Sequence, residues 1–152
     1  MYIHALYYLA ANPEYAEPLR HESEVAIQEN GWTKTAVMKM QKLDSFVKES
    51  IRLNPLGYST FLVLQPLTAV AVSRLVVGEG FTFSNGIFVP RGEVIGTPVF
   101  ATHTDDNIYP NGKEFDGFRF SRMREQEGES AKHHASNTSL EFMTFGHGQH
   151  AW

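Results

Sequence analysis

Leu43, Phe46, Val47 and Ile51 recur at helical spacing, with Asp44, Lys48, Glu49 and Arg52 on the other face. That pattern predicts a helix over about residues 42–53, ended by Pro55 and Gly57. Upstream, Asn12 followed by Pro13 reads as an N-cap and a first helical position. This helix runs to about Asn30, with Gly31 just past its end. Thr33 caps a short helix through Met40. Residues 1–11 are apolar and aromatic, lack the basic start of a signal peptide, and predict another short helix. At Tyr58 the chain turns to β-branched and aromatic residues. Residues 81–89 alternate around Asn85-Gly86, a hairpin signal. Pro90-Arg91-Gly92 is a second turn, and residues 93–100 read as a further strand. Residues 103–107 form a helical turn, broken by Pro110 and Gly112. Residues 122–137 are charged and irregular, and predict an exposed loop. The fold class is mainly α with a small antiparallel β-sheet, an α+β arrangement without internal repeats.

A length of 152 residues with 42% hydrophobic content allows one domain-sized core. The net charge of -4 excludes the basic footprint of a nucleic-acid binder. Absence of cysteine excludes disulfides and every thiolate metal site. The most apolar stretch, residues 58–77, is interrupted by Gln65, Pro66 and Arg74, so no membrane span of about 20 apolar residues is predicted. Within it, Tyr58 to Leu64 is expected to project without close partners and to be an aggregation hazard.

Two constellations bear on chemistry. Glu49 and Arg52 are neighbours at i,i+3, and as an isolated solvated pair they contribute a few tenths of a kcal/mol. The chain closes with Phe145-Gly146-His147-Gly148-Gln149-His150-Ala151-Trp152, whose glycines let backbone approach a flat group closely. His147 and His150 form an H-x-x-H, but a zinc site needs further ligands. His133 and His134, in the polar loop, read as solvated. Gly146-x-Gly148 lacks the third glycine of a nucleotide fingerprint.

The closing segment resembles the haem-binding loop of the cytochrome P450 family of haem-thiolate monooxygenases, in its fungal form. The family pattern is F-x-x-G-x-(H or R)-x-C. Phe145, Gly148 and His150 fill three fixed places, and Trp152 stands where the family has its axial cysteine. Four further segments resemble the family in the expected order. Residues 5–13 resemble the end of the long I helix and the start of the next. Residues 43–55 resemble the K helix with its E-x-x-R. Residues 86–92 fit G-x-x-(I or V)-P-x-G. Ala101-Thr102-His103 leads through Tyr109-Pro110 into Phe115-Asp116-Gly117-Phe118-Arg119-Phe120.

The resemblance implies a partial cytochrome P450 fold: residues 1–152 as the C-terminal fragment of one domain. Its parts are a helical 1–57, a strand-rich 58–100, and a meander-like 101–152 with the haem loop. It implies that Glu49 and Arg52 are buried with Arg119 in a network that positions the loop. It also implies that His150 lies against a haem propionate. Arg74 either reaches a propionate or is an exposed strand arginine, the two being equally weighted. Full-length members hold haem (iron protoporphyrin) and take electrons from an NADPH-dependent reductase. They insert oxygen into a small organic substrate, and endoplasmic reticulum association is implied. Their thiolate pushes electron density to the iron. Trp152 cannot replace it, because an indole N–H only donates. The expectation is therefore an inactive chain that retains no haem. It is either a fragment of such an enzyme or a non-catalytic scaffold or interaction protein on the same fold. The segment 56–72 and Trp152 also fit errors in exon assignment.

Overall fold

The computed structural model describes residues 2–55, 72–148 and 151. The segment Tyr58 to Leu64, expected to project without close partners, lies outside the described residues, as do His150 and Trp152. Helix α1 (Tyr2–Ala11) leads through a 3-10 turn (Pro13–Tyr15) into α2 (Ala16–Asn30), α3 (Lys34–Lys39) and α4 (Gln41–Leu53). Four short strands follow: β1 (Val72–Leu75), β2 (Phe81–Thr82), β3 (Phe88–Val89) and β4 (Val94–Thr97). Helices α5 (Val99–His103) and α6 (Arg119–Arg124) lie in the last third.

Local chemistry explains most boundaries. Gly31 takes φ +64 and its N–H bonds back to Ile27 O at 2.7 Å, closing α2. The Thr33 hydroxyl accepts from Ala36 N at 3.3 Å and starts α3. Asn12 does not cap the helix predicted from it. Its side-chain amide donates back to Tyr8 O at 2.8 Å, ending α1, and Pro13 opens only a 3-10 turn before α2. The strand predicted over residues 93–100 stops at Thr97. Pro98 then heads a helix, its carbonyl accepting from Thr102 N at 3.2 Å. The helical turn expected at residues 103–107 follows this helix at residues 105–109, where Tyr109 N donates to Asp105 O at 2.8 Å.

The strands form two antiparallel pairs. β1 pairs with β4, with Arg74 opposite Ile95, and β2 pairs with β3 around the Asn85-Gly86 turn. Gly86 has φ +87, as such a turn requires. Among the described residues no helix is long and apolar enough to cross a membrane.

Helix α4 organises the rest, and its polar face is as deeply buried as its apolar one. Phe46 and Ile51 are buried, Leu43 and Val47 are half-buried, and Ser45, Lys48, Glu49, Ser50 and Arg52 are almost wholly enclosed. Apolar packing lies at both ends of this polar face. On one side Phe46, Tyr15, Phe115 and Phe118 meet edge to face, and Tyr8 stacks on Phe115 at 4.0 Å. Gly117 fits between them, since a Cβ there would come within 2.6 Å of the Phe46 ring. On the other side Tyr109, Phe120 and Phe142 form a second cluster.

Residues 122–137 start inside α6, run irregular and mostly exposed from Glu125 to Lys132 as their polarity predicts, and then fold back on α4. Lys48 Nζ donates to His134 O at 2.8 Å, and Ala135 N donates to Asp44 at 3.0 Å. Residues 134–135 thus satisfy charged groups of α4.

Candidate functional site

Glu49 is fully buried and sits at the centre of the polar face. Its Oε1 accepts from Arg52 Nη2 at 2.7 Å, Arg119 Nε at 3.1 Å and Asp116 N at 3.1 Å. Its Oε2 accepts from Arg52 Nε at 2.8 Å, so the Arg52 fork is bidentate. One carboxylate thus faces two guanidiniums, and main-chain carbonyls offset the surplus positive charge. Arg52 donates to His103 O, to Gly112 O at 2.5 Å and to Glu114 O at 3.2 Å. Arg119 donates to Pro110 O at 2.6 Å. A solvated pair at i,i+3 would be nearly neutral. Here burial makes every bond costly to lose.

Two buried groups extend this network to the closing loop. His103 Nδ1 bonds Arg52 O at 2.9 Å, and His103 Nε2 accepts from Met143 N at 3.1 Å. These partners require a neutral ring with the proton on Nδ1. The ring stacks on Phe142 at 5.1 Å. Burial pushes the His103 pKa down to about 4, with Arg52 and Lys48 adding to the lowering against the Arg52 carbonyl. Lys48 Nζ lies 4.8 Å from the Phe120 ring centre and 4.4 Å from that of Phe142. Burial lowers its pKa to about 8, with Asp44 opposing and Arg124 adding to the change. Asp44 also takes a bond from Arg124 Nη1 at 3.2 Å. A single helix face therefore holds residues 103, 112–119, 134–135 and 142–143 in place.

The loop itself bends at Gly146 (φ +81) and Gly148 (φ +87). Gly146 N donates to Met143 O at 2.9 Å, and the Thr138 hydroxyl lies 3.3 Å from His147 Nδ1. The Thr144 hydroxyl is buried and lacks a hydrogen-bond partner among the described residues. Among the described residues nothing lies within 4 Å of where a Cβ would stand on Gly148. Phe145 is half-buried. The shape of the loop suits close approach of a flat group. The donor set does not suit a thiolate-held iron, because the chain has no cysteine and Trp152 offers only an N–H. Among the described residues no three His, Asp or Glu side chains are grouped to hold a metal ion.

The structure brings Glu49, Arg52 and Arg119 together and leaves Arg74 out of their network. Arg74 is exposed on β1, donates to Ser73 O at 3.0 Å, and borders a cavity of about 460 Å³ with Leu75, Phe81, Phe83 and Ile95. His133 and His134 are not solvated as their surroundings in sequence suggest. His133 Nε2 meets Glu129 at 2.9 Å, and His134 Nε2 meets Arg124 Nη2 at 3.3 Å, because this segment packs on α4. Lys132 and His133 hold the Glu129 carboxyl below its ordinary range. Sequence reasoning missed His103, Lys48 and Asp44 as network members. Lys48 and Asp44 share a helix face with Glu49 and Arg52, and that was the available signal. For His103 no spacing points to Arg52 or Met143.

Comparison with known proteins gives the family and the fold. The family model for cytochrome P450 matches residues 3–151. Cytochrome P450 monooxygenase 151 of Postia placenta is 44% identical over 150 residues, covering 99% of this chain and 28% of that protein. Cytochrome P450 monooxygenase 103 of the same fungus is 46% identical over 148 residues, covering 97% of this chain and 27% of that protein. Retinoic acid bound cyanobacterial CYP120A1 superposes with a TM-score of 0.63 at 22% identity, over 99% of this chain and 30% of that one. The chain spans less than a third of the length of each of these proteins.

Proposed function

The chain belongs to the cytochrome P450 family, and from that premise we propose that it is the cofactor-side scaffold of a fungal-type haem-dependent monooxygenase. In this sequence it does not carry out monooxygenation by itself. The observation that carries the second statement is coordination. Trp152 falls where the family's sequence pattern has its axial cysteine, and no other residue supplies a thiolate. For a whole protein of this kind, the proposal includes haem, electrons from an NADPH-dependent reductase and a small organic substrate. It also includes association with the endoplasmic reticulum membrane.

Within this chain the residues hold position. Glu49, Arg52 and Arg119 lock α4 to the stretch around residues 110–119. His103 carries that lock to Met143, and the loop turns at Gly146 and Gly148 from there. In this proposal Phe145 and Gly148 face the flat cofactor, while Arg74 and His150 lie toward its propionates. The network's role is structural specificity rather than catalysis.

One observation favours a second reading, a non-catalytic scaffold or interaction protein. Both carboxylate oxygens of Glu49 and the guanidiniums of Arg52 and Arg119 find partners within the protein. The arrangement is thus complete without a cofactor. Haem titration of the purified chain and of Trp152→Cys, read by haem absorbance, separates the two. Saturable binding by Trp152→Cys alone supports the enzyme-derived scaffold. Binding by neither, with the fold retained by circular dichroism, supports the second reading. Stoichiometric binding by the unmodified chain contradicts the proposal.

A further inference from the structure

Asn30-Gly31, Asn85-Gly86 and Asn111-Gly112 are the Asn-Gly pairs of this chain. We infer that Asn85 is a modification site, where spontaneous deamidation converts the hairpin turn into a mixture of isoaspartyl and aspartyl forms. Glycine without a Cβ lets its main-chain nitrogen reach the preceding side chain. The Gly86 nitrogen gives up its proton to solvent base and attacks Asn85 Cγ. A carbon–nitrogen bond forms, and the side-chain nitrogen leaves as ammonia. Water then opens the five-membered imide at either carbonyl. The reaction consumes one water, releases one ammonia and needs no other reactant.

The structure ranks the three pairs. At Asn30 the side-chain amide donates to Ala26 O at 3.0 Å, and the Asn30 carbonyl accepts from the Thr33 hydroxyl at 3.0 Å. Gly31 N is held by Ile27 O at 2.7 Å. Reaching Cγ there means unwinding the end of α2. Asn111-Gly112 is tied into the ionic network. Gly112 N donates to Asp106 Oδ1 at 2.8 Å, and Gly112 O accepts from Arg52 at 2.5 Å. Gly112 is buried, and a Cβ on it would meet Thr104 and Tyr109 main chain at 2.9 Å. Attack at Asn111 therefore requires the buried centre to open.

Asn85-Gly86 is different. Both residues are exposed, and among the described residues nothing lies within 4 Å of a Cβ position on Gly86. The turn is held by Gly86 N on Phe83 O at 2.9 Å, by Phe83 N on Ile87 O at 2.9 Å and by Ile87 N on Asn85 Oδ1 at 3.2 Å. It is carried by strands of two residues each. Opening so short an exposed hairpin costs far less than opening α2 or the network. The isoaspartyl product adds a main-chain carbon and a negative charge at the turn. It also disturbs the pairing of Phe81 with Val89, next to the cavity that Phe81 and Phe83 line.

The test is peptide mapping by mass spectrometry of the full chain aged in mildly alkaline buffer, folded and in urea. In urea all three asparagines convert. In the folded protein Asn85 converts first, ahead of Asn30 and Asn111 by on the order of tenfold or more. Asn85→Gln removes the early product and leaves the slow ones. The inference is overturned if the folded and urea patterns coincide. It is equally overturned if Asn30 or Asn111 leads in the folded protein, or if Asn85 converts in neither condition.

Discussion

His103 ties α4 to the closing loop, and its protonation is the sharpest handle on that tie. Folded, its pKa lies at about 4 against 6.5 for a free imidazole, because burial disfavours the charged ring and Arg52 and Lys48 repel it; a proton on Nε2 would also displace the Met143 N–H. The unfolded chain therefore binds more protons between those values, and stability rises with pH across that window. The contribution is complete above about pH 6.5, is lost as pH falls toward about 4, and changes no further below. At about 1.4 kcal/mol for each pH unit, the full loss is on the order of 3 kcal/mol. His103→Gln keeps a side-chain N–H for Arg52 O and an oxygen for Met143 N without titrating. Urea unfolding of both proteins, repeated from pH 7 to pH 4, measures the difference. Wild type should lose stability relative to His103→Gln only inside the window. Parallel curves would refute the neutral buried imidazole, and a crossing in the opposite direction would reverse the sign of the argument.

Other perturbations test the same frame. Glu49→Ala leaves the Arg52 and Arg119 guanidiniums facing each other in a buried site, and urea denaturation should show a loss of about 3–5 kcal/mol. Lysine at position 119 should recover little of the loss from Arg119→Ala, since an ammonium lacks the fork that spans Glu49 and Pro110 O. Gly117→Ala pushes a methyl against the Phe46 and Tyr15 rings, and its thermal midpoint should fall by the equivalent of about 1–3 kcal/mol. An unchanged midpoint would show that the aromatic cluster yields more easily than its contacts imply.

What could be seen in the sequence depended on how far apart the partners lie. Helix α4, the Thr33 cap, the Gly31 stop and the Asn85-Gly86 hairpin are local patterns, and each was legible. The residues of the ionic network could be named because they resemble a family's motifs, not because their spacing shows burial. Periodicity favours Leu43, Phe46, Val47 and Ile51 as the inner face of α4, and Phe46 and Ile51 are buried. The charged face is buried as well, because its partners come from 51 to 91 positions away. The same distance hid His103, whose bonds to Arg52 and Met143 cross 51 and 40 positions. It also hid the packing of residues 134–135, where a polar stretch looks like a solvated loop unless the buried charges it serves are known. Asn12 failed as a cap for a local reason: its amide has a competing carbonyl four residues back.

The central claim is that this chain keeps the family's scaffold without its iron ligand, and the reduced carbon monoxide difference spectrum tests it most directly. Purified protein is mixed with haem, reduced, and read with and without carbon monoxide. The account predicts no thiolate-type band, because position 152 is tryptophan and the chain contains no cysteine. A thiolate-type band from the unmodified chain would contradict it.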